Sequence, residues 1–459
     1  MAIEMGAVDE LRKGLRGAVI TAADSGYDEA RRVWNAMIDK RPALIVRCRS
    51  AVDVIGCVNF ARERGLVIAV RGGAHSVAGN ATCDGGLVID LSEMKGIRVD
   101  PVRRTAWAEP GLRWTEFDRE TQAFGLATTG GTVGDTGISG LTLGGGFGWL
   151  EGRLGMTVDN LLGADVVLAN GDLVHAGEEE NSDLFWALRG GGGNFGVVTS
   201  FQYRLHPVGP MIVGGLVVHP FARAADVLAF YNEFLRGAPD QLTAAAVLMT
   251  APDGNKACGI AGAYLGPVEE GEKAVQPLKQ FGPPILDMMG PIPYVGHQAL
   301  LEQAMPPNVL NYWKADFIPE VSPRVAATAV DAYSRVPSPM SSILFFPIHG
   351  AASRVAPQAT AYPHRGGIHM GIYSLWRDPA QKSANVAWVR DTWAAIQPFV
   401  PGGVYVNELG DDEGDDRVRQ AYGPNYARLS RLKAKYDPEN LFRLNANIRP
   451  ALTEEPAGV

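Results

Sequence analysis

Residues 43–79 constrain the fold more than any other stretch of the chain. Residues 43–46 read as a short buried strand. Ser50 then caps a helix whose first turn carries Asp53. Val54, Ile55, Val58 and Ala61 make one apolar stripe on that helix, and Gly65 ends it. A second strand, 66–70, runs straight into Arg71-Gly72-Gly73-Ala74-His75-Ser76-Val77-Ala78-Gly79. Strand, helix, strand implies parallel strands, and ligands of such sheets bind at the carboxyl ends of the strands. Glycines let backbone N–H groups crowd around a phosphate. His75 stands among them, either as a hydrogen-bonded loop histidine or as a nucleophilic or metal-binding imidazole.

Short strands are expected over 87–91, 96–100 and 104–108, and a helix over 113–124. A second glycine-dense region covers 130–148. A strand over 161–168 leads into the hairpin signal Asn170-Gly171-Asp172. After a helix at 183–188, a third glycine cluster at 190–196 feeds a strand at 197–203. From about Met211 the pattern changes. Strand-like runs at 214–219, 243–249, 343–347, 367–375 and 404–408 alternate with helical runs at 224–235, 323–334 and 386–396, as in an α+β domain with an antiparallel sheet. The acidic run 411–416 reads as a solvated loop, and a last helix, 426–436, is stopped by Pro438.

Several classes of function are excluded. A chain of 459 residues that is 46% hydrophobic and 20% charged is ordinary globular material, enough for two domains. A net charge of −8 speaks against nucleic acid or an anionic membrane as partner. No apolar run approaches the roughly 18 residues of a membrane span. Residues 1–20 mix Glu4, Asp9, Glu10 and Lys13 with short apolar pieces, so no signal peptide is expected and the cytoplasm is the expected location. The four cysteines (Cys48, Cys57, Cys83, Cys258) lack CxxC spacing, so no zinc site or disulfide framework is expected; Cys48 and Cys57 suit small buried positions. No GK[ST], HExxH or GxSxG is present. Gly191, Gly193 and Gly196 satisfy GxGxxG, but a helix precedes them and a strand follows, the reverse of a nicotinamide fingerprint. They form either a tight turn or a close backbone approach to a different cofactor.

The ordered motifs at 71–76, 83–91, 137–146, Asp159-Asn160, 183–190, 193–198 and 436–448 resemble those of the berberine-bridge-enzyme-like FAD-linked oxidases of the vanillyl-alcohol-oxidase superfamily. The resemblance implies an α+β protein in two parts. An FAD-binding domain of PCMH type would cover 1–208, with its core at about 38–208. A substrate domain with an antiparallel sheet covered by helices would cover 209–409, and a strip at 410–459 would return to the FAD domain. It further implies that Arg71, Gly72, Gly73, Ala74, His75 and Ser76 cradle the FAD diphosphate and that Gly79 is a further cofactor contact. Other cofactor contacts would come from Thr132, Val133, Thr136, Gly137, Ser139, Gly140 and Gly144 in the middle cluster, and from Asn160. Gly193, Asn194, Gly196 and Val198 would supply more, as would Asn407, Asn445 and Asn447 near the end. His75 matches the position of an 8α-histidyl flavin link. Relatives with a second link carry a cysteine just before the middle glycine cluster. Residues 129–135 hold none, so a single covalent bond and a smaller substrate are expected.

On the substrate side, many relatives have a tyrosine where this chain has Glu408. Glu408 is either the base or a carboxylate with a structural partner. His369, Gly371 and Tyr373 share one face of a strand. His369 is a candidate base or substrate contact, Gly371 would enlarge the pocket, and Tyr373 could equally be core. Tyr405 is a third catalytic candidate. The expected activity removes hydride from a C–H beside O or N of a small substrate and passes the electrons to O₂. The alternatives are a dehydrogenase that reacts poorly with O₂ and an inactive flavoprotein that holds a ligand.

Overall fold

The computed structural model describes residues 3–452 and has a mixed α+β fold. A four-stranded sheet runs in the order Ala18–Ile20, Leu44–Arg47, Leu87–Asp90, Ile68–Arg71. The two strands of the expected strand–helix–strand unit are parallel, but through Leu87–Asp90, which lies between them. Their helix, Ala51–Glu63, is capped by Ser50. Asp53 does more than favour the helix dipole. It is fully buried, and its carboxylate accepts the N–H groups of Arg16 and Arg49, each at 2.8 Å. Cys48 and Cys57 are free and buried, 3.9 Å apart at sulfur.

A second, antiparallel sheet has the order Ile97–Asp100, Thr105–Ala108, Val197–Arg204, Leu161–Val167, Leu173–Gly177. Its last two strands are joined at Asn170-Gly171-Asp172, where Gly171 takes φ +89°. Helix Ala51–Glu63 sits between this sheet and the first, with Val54, Cys57 and Val58 packed in one core with Val167 and Val197.

The third sheet has eight strands. Seven run in the order Leu286–Asp287, Met211–Pro220, Lys256–Tyr264, Leu242–Thr250, Ser342–Pro347, Ile368–Trp376, Leu310–Ile318; Gly290–Pro293 also pairs with Met211–Pro220. Helices Ala224–Gly237, Pro323–Ser334 and Lys382–Ile396 cover one face. The two-residue strand period sends Ala244, Ala246 and Leu248 into the core beneath them, with Tyr231, Val325 and Val389. In this part of the chain the longest elements with no expectation above are strands Lys256–Tyr264 and Leu310–Ile318 and helix Val268–Gln280. Apart from Lys256, Ile260 and Tyr264, the first is built from Ala, Gly and Cys, residues with no strand signature of their own. Its central place in the sheet gives it its form. The expected strand at 404–408 is instead a 3₁₀ turn, Val406–Glu408. The acidic run is not simply solvated: Asp412 and Glu413 clamp the buried Lys314 at 3.0 and 2.7 Å.

The final helix, Tyr426–Tyr436, occupies the expected residues. Lys433 on it is fully buried. Its Nζ donates to the Asn194 carbonyl at 2.7 Å, the Asp437 carboxylate at 2.6 Å and the Phe442 carbonyl at 3.0 Å. Burial pushes its pKa down, and Asp437 opposes that shift. The contact ties the end of the described chain to the third glycine cluster. No described helix is long and apolar enough to cross a membrane.

Asp118, fully buried on helix Trp114–Gln122, meets Tyr294 Oη at 3.5 Å and Gln298 Nε2 at 3.0 Å. Gln298 also donates to the Gly131 carbonyl and accepts from the Gly134 N–H, so it braces the middle glycine loop. Burial pushes the Asp118 carboxyl up to about 7 against the lowering effect of these hydrogen bonds. An ordinary carboxyl titrates near 3.8, so between that pH and about 7 the folded protein holds a proton the unfolded chain has lost. Asp118 therefore contributes most below pH 3.8, and that contribution is lost as pH rises through about 7. We predict that Asp118→Asn gains stability relative to wild type as pH is raised from 5 to 8, measured by thermal melting. A constant difference across that range would remove Asp118 as its source.

Candidate active site

One cavity of about 840 Å³ takes its wall from all three glycine regions. The first contributes Gly72, Gly73, Ala74, His75 and Ser76; the second Thr132, Val133, Thr136, Gly137, Ser139 and Gly140; the third Gly193, Gly196 and Val198. Asn407 and Asn445 join them. The loops carrying Gly73 and Gly137 touch backbone to backbone: a Cβ on Gly73 would lie 2.5 Å from the Gly137 Cα. Only glycine permits that approach. The backbone N–H groups of residues 73–76 have no acceptor among the described residues.

The remaining expected cofactor contacts stand outside the wall. The Arg71 guanidinium turns back to the Ala30 carbonyl. Gly79 adopts φ +70° with Ile38 packed where a side chain would stand. Gly144 makes room for Asn407, whose Oδ1 lies 2.2 Å from the place of a Cβ. Asn160 bridges the Leu154 and Met156 carbonyls and His206. Asn194 binds the Gly191 and Ala446 carbonyls and the Ile448 N–H. Asn447 keeps a buried Oδ1 without a partner. These residues shape the cavity from behind it.

His75 is oriented by three residues. Its Nε2 lies 3.3 Å from Asp135 Oδ2, and Arg113 holds the other Asp135 oxygen. The Trp34 ring stacks on the imidazole at 5.3 Å and 21°. Burial raises the Asp135 pKa, but hydrogen bonds from His75 and Arg113 outweigh it and hold the carboxyl below its usual range. An ionised Asp135 accepts the Nε2 proton, which leaves the lone pair on Nδ1. That nitrogen has no hydrogen bond among the described residues. The sequence reading missed Asp135 and Trp34. Asp135 lay in the quoted stretch 129–135, whereas nothing local marks Trp34.

Glu408 faces the same cavity. His369 Nε2 lies 3.1 Å from its Oε2, and the Tyr373 hydroxyl donates to its Oε1 at 2.9 Å. His369 is fully buried, with Phe147 at 5.0 Å and Nδ1 unpartnered. The structure places all three residues of this strand. His369 and Tyr373 meet on Glu408, and Tyr373 is more than core. Gly371 does not enlarge the pocket: a Cβ there would lie 2.1 Å from the Tyr373 ring, which fills that space. The Tyr405 hydroxyl accepts from Asn407 Nδ2 at 2.8 Å and from the Gly146 N–H at 3.2 Å. Burial pushes its pKa above the usual phenol value, so it stays neutral. None of the four cysteines lines the cavity. No group of three or more His, Cys, Asp or Glu side chains suited to a metal ion occurs among the described residues.

Comparison with known proteins agrees with this arrangement. Residues 42–177 match the model of an FAD binding domain, and residues 404–449 the model described as berberine and berberine like. An FAD-linked oxidoreductase of Dictyostelium discoideum is 33% identical across 96% of this chain and 97% of its own length. An (R)-6-hydroxynicotine oxidase of Paenarthrobacter nicotinovorans is 31% identical across 95% and 97%. Among solved structures, 6-hydroxy-D-nicotine oxidase from Arthrobacter nicotinovorans aligns with a TM-score of 0.88 at 29% identity, covering 95% of this chain and 98% of that one. Chitooligosaccharide oxidase aligns at 0.86 and 26%, covering 97% and 100%. The chain belongs to the berberine-bridge-enzyme-like FAD-linked oxidoreductases, and its cofactor is FAD.

Proposed function

We propose that the protein is an FAD-dependent oxidase that takes hydride from a C–H beside oxygen or nitrogen of a small organic molecule, with FAD bonded once, to His75. The observation that carries this reading is Glu408: a carboxylate fixed by His369 and Tyr373 on the wall of the cavity that the glycine loops also line. The cavity suits FAD on its own chemistry. It offers free backbone N–H groups at 73–76, which fit a diphosphate. At Asn445 it offers a buried Oδ1 without a partner, which a donor on the cofactor would satisfy.

Bound FAD supplies an acceptor for two electrons and a route for them to O₂. The protein's own groups do the rest. Glu408 accepts the proton of the substrate O–H or N–H as the neighbouring carbon gives up hydride. His369 and Tyr373 keep the carboxylate aimed, and each remains hydrogen-bonded to it. Tyr405, neutral and fixed by Asn407 and Gly146, offers a hydroxyl rather than a base. His75 presents Nδ1 to the cofactor, and Asp135 takes charge of Nε2. The absence of a cysteine from the cavity wall supports a single bond. The relatives named as oxidases support O₂ as the acceptor. The test is to photoreduce the flavin without air and then admit air. Rapid return of the yellow oxidised form is expected; slow return would make the protein a dehydrogenase.

A further inference from the structure

The eight-stranded sheet turns a second, different face toward the cavity. On Leu242–Thr250 the residues that alternate with the helix-packed set are Thr243, Ala245, Val247 and Met249; Thr243 is bonded to His349 away from the cavity, and the other three line it. Neighbouring strands add Leu216, Ala261 and Leu344. Met305 and Met340 extend this wall. The few hydroxyls beside it are mostly committed. Thr250 Oγ1 is 3.1 Å from the Tyr333 hydroxyl, Ser341 Oγ is 3.1 Å from Ser374 Oγ, and Tyr373 already donates to Glu408. Ser342 alone on these strands has no side-chain hydrogen bond among the described residues and faces the cavity.

We infer that the substrate is an apolar molecule, an aromatic or alicyclic ring with alkyl substituents, that carries its single reacting hydroxyl or amine toward Glu408. This rests on the proposed oxidase reading and narrows it. A saccharide brings a hydroxyl on nearly every carbon, and most of these would lose water against a wall that, beyond Ser342 and the Trp313 Nε1, returns few hydrogen bonds. An apolar ring loses nothing there and gains burial. The three methionines are unbranched and polarisable, so the wall adapts to more than one ring shape. The protein therefore discriminates weakly among apolar skeletons and strongly against polyols, unlike a relative named as acting on chitooligosaccharides.

The experiment uses the holoenzyme without air and follows the visible absorption of its flavin. Benzyl alcohol, 4-ethylbenzyl alcohol and 4-butylbenzyl alcohol, the matching benzylamines, and cellobiose are titrated in turn. In one of the two benzyl series the dissociation constant is expected to fall about fourfold per added methylene, while cellobiose leaves the spectrum unchanged. Val247→Thr, which adds a hydroxyl at nearly constant volume, should flatten that gradient without changing flavin content. Binding of cellobiose more tightly than benzyl alcohol, or no gradient in either series, would overturn the inference. Spectral perturbation and bleaching separate the two readings. A graded series that binds yet never bleaches the flavin counts against the oxidase and leaves the apolar site standing. Bleaching by cellobiose does the reverse.

Discussion

Acid-precipitated His75→Ala protein will leave its yellow colour in the supernatant, where wild-type protein will carry the colour into the pellet. The expectation follows from how His75 is held. Trp34 fixes the plane of the ring, Asp135 takes Nε2, and Arg113 keeps Asp135 ionised, so Nδ1 is the nitrogen left to bond. An imidazole set this way by a carboxylate is an activated nucleophile. Asp135→Asn preserves the shape but not the charge. That variant should still bind FAD and melt near the wild-type temperature, yet gain covalent flavin at least about tenfold more slowly. Asp135→Glu should restore part of the rate. Fluorescence of the denatured chain on a gel reads the bond directly, apart from any turnover. Wild-type colour found wholly in the supernatant would end the covalent proposal and leave FAD binding untouched.

Glu408→Gln is expected to lower kcat by a factor on the order of 10² to 10⁴, the usual worth of a placed general base. Its flavin content should not change, because Glu408 is not among the backbone donors or the asparagine that suit FAD. The amide can still accept from Tyr373, so the fold around it has no reason to open. Tyr373→Phe should cost far less, since it removes one hydrogen bond worth about 1 kcal/mol net and leaves the carboxylate in place. Equal losses in the two variants would mean that the proton reaches the carboxylate through the Tyr373 hydroxyl, which passes its own proton to Glu408 as it takes the substrate's. Stopped-flow measurement of flavin bleaching without air separates this step from reoxidation.

The parts of the site that lie close together in the chain were readable. Residues 71–76 announce a crowded backbone by their glycines, and the helix-before-strand order at 182–197 by itself rules out a nicotinamide fingerprint. What could not be read depends on distant contacts. Gly371 looks like a missing side chain and so like extra room, yet the Tyr373 ring from two residues away occupies it. Val406–Glu408 has the alternation of a strand, but no strand pairs with it and it curls into a 3₁₀ turn. Lys256–Tyr264 lacks β-branched residues except Ile260 and is held by partners on both sides. Asp135 gains meaning only from His75, sixty residues earlier. Propensity and spacing cannot report such pairings.

The buried ammonium of Lys433 bears on how the cavity is closed. Residues 72–76 and Asn445 and Ala446 line the same cavity although the two stretches lie far apart in the chain. Until the segment around Lys433 has docked on Asn194, that wall is incomplete. The Lys433 hydrogen bonds are therefore what fasten two distant stretches into one enclosure.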